Sequence, residues 1–211
     1  MADPISGILF GLSAGVAPGP LLTLVITQAL SYGITEGIKV AVAPLVTDLP
    51  IIIATAILGV RWSASPMPLG LLSLAGSVYI CFLAWESLKV KPTRQKARTR
   101  APKSIRKGIL TNFLNPHPYL FWITIGTPLL HSSWANAPHL AILWLAGFYS
   151  MLVGSKIVLS ILVGHWQELL QGSTYLWINR CLGLILLFFA GVLARDGLRL
   201  LGWVEISTAA G

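Results

Sequence analysis

Asp48 sits near the middle of a long apolar stretch of the chain. An ionised carboxylate in such a setting is costly, so it faces the protein interior and either pairs or takes up a proton. Two chemistries suit it, proton coupling and substrate binding. The plainer alternative is a structural partnership with a backbone break or a lysine. Lys156 lies in a second apolar stretch. It either pairs with Asp48 or snorkels towards a membrane face.

Prolines supply the other candidate chemistry. Pro18-Gly19-Pro20 and Asn115-Pro116-His117-Pro118 each place a Pro-x-Pro inside an apolar stretch. A proline lacks an N–H and clashes with the carbonyl four residues earlier. Pro18 and Pro20 therefore free the carbonyls of Ala14 and Val16, and Pro116 and Pro118 free those of Asn112 and Leu114. Unpaired backbone groups at membrane depth are tolerated where they face protein or a wet cavity. One such motif reads as a kink, whereas a matched pair reads as the lining of a substrate path. Asn115 carries two donors and an acceptor beside its break. It either satisfies freed backbone or contacts a polar substrate. His117 has no second histidine nearby, so metal ligation is not expected. Tyr79 and Trp122 read as packing or interfacial aromatics, and Glu86 as a neighbour of Lys89. No GxGxxG, P-loop, HExxH or GxSxG is present, so the chain does not read as an enzyme and calls for no cofactor.

The elements that must hold these residues are membrane helices. Of 211 residues, 55% are hydrophobic and 10% charged, where a soluble domain carries about a quarter charged. Six stretches reach the roughly 20 apolar residues that a span requires. They are 5–30, 37–60, 69–88, 108–130, 140–164 and 175–201. Gly33 and Thr35, then Pro66 and Pro68, then Asn136 and Pro138, then Gly172 and Ser173 punctuate the short junctions. The first stretch reads as a retained helix, because Met1 to Pro4 include an acid and no basic residue.

The long junction, 89–107, is basic and has no acidic residue. Between apolar stretches it reads as a cytoplasmic loop rather than a nucleic-acid surface. Lys39, Arg180 and the nine basic residues from Lys89 to Lys107 then lie inside, with Arg61, Arg195 and Arg199 outside. Six spans place both termini outside. The loop also suits anionic lipid headgroups.

Three helices on each side of that loop have opposite orientations in the membrane, which is the geometry of an inverted repeat. The expected fold is all-α, one transmembrane domain over 1–211, with repeat halves of about 1–88 and 108–201. Gly7, Gly11, Gly15 and Gly19 recur every fourth residue and form a smooth helix face. That face packs within the chain or joins two copies in a homo-oligomer. Cys81 and Cys181 lack CxxC or metal-ligand spacing and read as small packed hydrophobes.

Taken together, these residues resemble the LysE/RhtB family of amino-acid exporters over nearly the whole chain. The resemblance rests on Gly11 with Pro18-Gly19-Pro20, on Gly33-Ile34-Thr35-Glu36-Gly37, and on Asp48 in the second helix. It continues through Gly108, Asn115-Pro116 and Leu120-Phe121-Trp122 to Asn179-Arg180, Gly183 and Gly191. Three positions depart from the family pattern. Thr47 precedes the aspartate in place of glycine, His117 follows Asn-Pro in place of lysine, and Pro44 replaces a common glycine. The resemblance implies export of amino acids or related small polar solutes across a bacterial inner membrane, driven by an ion gradient such as protons. The expected path residues are Pro18, Gly19, Pro20, Asp48, Asn115, Pro116 and Lys156. Two other classes compete. A membrane thiol–disulfide carrier needs cysteines beside the broken helices, and a non-transporting scaffold needs no path at all.

Overall fold

The computed structural model describes residues 3–64, 67–89, 102–165 and 173–203. The middle of the basic loop, Pro66 and Gly172 lie outside the described residues. Every regular element among them is helical: α1 Pro4–Val16, α2 Pro20–Tyr32, α3 Ile34–Ala41, α4 Ala43–Ala64 and α5 Met67–Leu88. After the basic loop come α6 Ser104–Phe113, α7 Pro116–Phe121, a π-helical turn Trp122–Gly126, α8 Thr127–Asn136, α9 Pro138–His165 and α10 Ser173–Leu200.

Four stretches have the length and apolarity to cross a membrane: Ile34–Ile57, Met67–Leu88, Pro138–His165 and Leu176–Leu200. They match the second, third, fifth and sixth sequence stretches. The first stretch is two half-helices, α1 and α2, that meet at a bend of 62° and together form a fifth candidate. Asp3 caps α1, its carboxylate accepting from the Ile5 amide at 3.3 Å, and Pro4 occupies the first helical position.

The fourth stretch, expected as one helix over 108–130, is instead divided among α6, α7, the π turn and α8. No one of these pieces is long enough to cross alone. The cause is local: Asn115 is extended, Pro116 restarts the helix, and the π turn follows Phe121.

Two helix pairs dominate the packing, α5 against α10 and α1 against α9. Glycine permits the second. Gly7, Gly11 and Gly15 are buried on α1, and a Cβ on Gly11 would collide with the Phe148 carbonyl of α9. The glycine face thus packs inside the chain, and Gly19, beyond the end of α1, has open space around it. Trp144 stacks on Phe148 and Trp122 meets both edge-on, an aromatic core beside Ile51 and Tyr119.

The described surface carries many large apolar side chains. Ile57, Val78, Phe188, Ile5 and Trp177 are each more than 60% exposed. Large apolar side chains outside and polar ones inside suit lipid contact, and the molecule is a multi-pass membrane protein. Cys81 and Cys181 are free and exposed on this surface, which corrects the expectation that they pack inside. Glu86 accepts from Lys107, while Lys89 lies over the Trp85 ring instead.

Candidate functional site

The two helix breaks face one central cavity of about 370 Å³. Pro18, Gly19 and Pro20 line it from the first break and Asn115, His117 and Pro118 from the second. Asp48 reaches it from α4 and Lys156 from α9. Pro116 is buried at the start of α7 and shapes the break without contributing to the lining.

The first break is held by Lys156. The ammonium donates to the carbonyls of Ala14 at 3.2 Å, Gly15 at 3.0 Å and Leu152, one turn earlier on its own helix, at 3.4 Å. Ala14 is one of the carbonyls that the prolines were expected to free. The carbonyl end of a helix carries partial negative charge, so a cation there is favourable. Lys156 is only 3% exposed, and it therefore does not snorkel. Nor does it pair with Asp48: among the described residues no ion pair joins them. Its partner is the broken backbone of α1. Beyond the break, Gly19 precedes α2 in an extended conformation and Pro20 sets the first helical φ.

The second break uses neutral groups. The Asn115 side chain accepts from the His117 amide at 3.1 Å and so caps α7. The Asn115 amide donates to the Asn112 carbonyl at 3.2 Å, which closes a tight turn. The Tyr119 hydroxyl donates to the Phe113 carbonyl at 2.9 Å. The Leu114 carbonyl presses against α5 at Gly76, where a Cβ would collide with it. Of the two roles open to Asn115, backbone satisfaction is thus in place, and the side chain still borders the cavity.

Asp48 is 4% exposed and held by neutral donors. Asn112 donates to one carboxylate oxygen at 2.9 Å, and the Tyr149 hydroxyl reaches the other at 3.3 Å. Asn112 also donates to the Thr47 hydroxyl at 2.6 Å, which in turn donates to the Ala43 carbonyl at 3.1 Å. One carboxylate therefore ties α4 to α6 and α9. With no cation bonded to it, it is placed to exchange a proton or to receive a cationic group from the cavity.

Asn112, Tyr149 and Thr47 were not among the expected site residues. Two carried a signal in their spacing. Asn112 lies three residues before Asn115, and Tyr149 lies seven before Lys156, on the same face of a helix. The remaining wall is apolar, formed largely by Phe121, Trp122, Phe148 and Leu152. Among the described residues no group of three His, Cys, Asp or Glu side chains could hold a metal.

The family model described as LysE type translocator matches residues 12–197. A cysteine/O-acetylserine efflux protein of Escherichia coli (strain K12) is 27% identical over 118 residues, which cover 54% of this chain and 59% of that protein. The protein of the same description from Shigella sonnei (strain Ss046) aligns with the same identity and coverage. The matched stretch therefore spans little more than half the length of these relatives. No solved structure matches.

Proposed function

The chain belongs to the LysE type translocator family, and from that premise we propose that it exports amino acids or related small polar solutes across a bacterial cytoplasmic membrane. A translocator moves its substrate unchanged, so the chain is a transport protein and not an enzyme. The observation that carries the proposal is the central cavity. Two helix breaks, a buried carboxylate and a buried ammonium meet there. Cavities formed by interrupted helices near mid-membrane are the binding sites of secondary transporters.

Asp48 is the coupling residue in this reading. A carboxylate held only by neutral donors can gain or lose a proton without breaking an ion pair. Pro18, Gly19, Pro20, Asn115 and Pro116 shape the path, and Lys156 keeps the α1 half-helix in place. The substrate class follows from the relatives' names and the cavity's make-up. Cysteine and O-acetylserine are small zwitterions, and a cavity with charges of both signs and aromatic walls suits such molecules.

The six-span inverted repeat belongs to the same proposal. α1–α2 opens the first half with a break, and α6–α8 opens the second half likewise. The sixth crossing is then made by the broken α6–α8 segment. The thiol–disulfide alternative has little support, because neither cysteine lines the cavity.

The test is efflux from cells that lack their own exporters and are loaded with dipeptides. Expression of this protein should accelerate release of one or a few amino acids, and an uncoupler should abolish the gain. Correct insertion with no added efflux of any amino acid would refute amino-acid export.

A further inference from the structure

A second polar feature lies away from the cavity. Thr23, Thr27, Gln28 and Ser31 are all buried on α2. The sequence starts one turn after Gly19, which lines the cavity, and Ser31 lies two turns further on from Thr23. Opposite them stand Ser104 on α6 and Asn179 on α10, which are 1% and 0% exposed. The Ser104 hydroxyl donates to the Gln28 amide oxygen at 2.9 Å, and the Ser31 hydroxyl donates to Asn179 at 3.1 Å.

Polar side chains buried at this density are costly in a membrane protein unless bonded or wet. Gln28 and Ser31 make their contacts across the helices with neutral groups, which water or a polar solute can replace, while Ser104 also bonds the Glu36 carboxylate of α3. The seam ends in a crevice lined by Thr27, Gln28, Ser31 and Ser87 together with Glu86 and Lys107. The crevice measures only about 30 Å³, against about 370 Å³ for the central cavity. No amino acid passes through it as it stands. Across it, the Lys107 ammonium donates to both Glu86 oxygens at 2.7 Å and joins the end of α5 to the start of α6.

We propose that this seam is the leg of the substrate path between the central cavity and the basic-loop end of the bundle, and that the Lys107–Glu86 ion pair is the gate that closes it in this conformation. The inference rests on the transport reading above and adds the route to it. Thr23 and Thr27 donate to the carbonyls of Gly19 and Thr23 on their own helix, and as a path the seam gives Gln28, Ser31 and Ser104 a task beyond these packing bonds. Opening separates the start of α6 from the end of α5, and the hydroxyls and amides of the seam then face water and solute.

Thiol labelling tests the gate without any substrate. Cys81 and Cys181 are replaced by alanine, and Ser31→Cys or, separately, Thr27→Cys serves as reporter. A charged, membrane-impermeant thiol reagent is applied in turn to each face of membrane vesicles. Labelling from the basic-loop face should be slow with the pair intact. Breaking the pair with Glu86→Gln should accelerate it roughly fivefold, the population shift expected from losing an ion pair worth about 1 kcal/mol. The exchanged pair Glu86→Lys with Lys107→Glu should restore the slow rate. Ser73→Cys, fully buried on α5, should stay protected throughout. Equal labelling with and without the pair would overturn the gate, as would a parallel rise at Ser73→Cys. Pair-dependent labelling in a protein that exports no amino acid would keep the gate and remove the amino-acid reading.

Discussion

Asp48 and Lys156 are buried at one cavity and have different partners. The carboxylate is bound by Asn112 and Tyr149, and the ammonium by the carbonyls of α1 and Leu152. Asp48→Asn keeps the shape and can retain neutral hydrogen bonds, so stability should change by about 1 kcal/mol at most. Export should nevertheless fall at least about tenfold, because an amide cannot carry the proton that an intramembrane carboxylate can. Normal insertion with full, uncoupler-sensitive efflux would remove Asp48 from the mechanism. Lys156→Met should act differently. It strands the Ala14 and Gly15 carbonyls, at a cost of about 1–3 kcal/mol, and thermal unfolding in detergent should report the loss directly. Asp48 was legible in the sequence because an acid in an apolar stretch stands out. The partner of Lys156 was not, because composition shows a charge but does not show which carbonyl turns towards it.

At the scale of the elements, glycine and proline divide the work. Proline breaks α1 from α2, and glycine brings α1 against α9. Gly11→Ala places a Cβ against the Phe148 carbonyl, a backbone atom that cannot swing aside. The α1–α9 pair must separate, at a cost of about 1–3 kcal/mol. Gly191 has open space around it, and Gly191→Ala should change stability by no more than about 0.5 kcal/mol. Chemical denaturation of the two variants in one detergent measures the contrast, and equal effects would show that the glycine face is not a packing requirement. The break at Pro18 was readable from residue type alone. The division of the fourth stretch was only half readable. Hydropathy averages over 108–130 and reports an apolar run, whereas Asn115 and the π turn act through backbone geometry that an average does not register.

The described residues turn Ile, Val, Leu and Phe outward and bury many polar side chains. That inversion was legible from composition, since 10% charged residues cannot cover a water-facing surface. The side of the membrane on which each end lies rests on the basic loop. Reporter fusions should find both termini outside and 89–107 inside, and replacing the loop's lysines and arginines with glutamine should yield mixed orientations. A loop found outside in the unaltered protein would reverse the topology and also the face on which the Lys107–Glu86 gate opens.

Purified protein in liposomes measures gradient-driven export through the Asp48 cavity without the rest of the cell. Radiolabelled cysteine or O-acetylserine is followed across the membrane with and without an imposed proton gradient, for the unaltered protein and for Asp48→Asn. Flux should rise with the gradient in the unaltered protein, and the variant should show no gradient-driven flux if Asp48 couples export to protons. Equal gradient-driven flux in the two proteins would contradict that role.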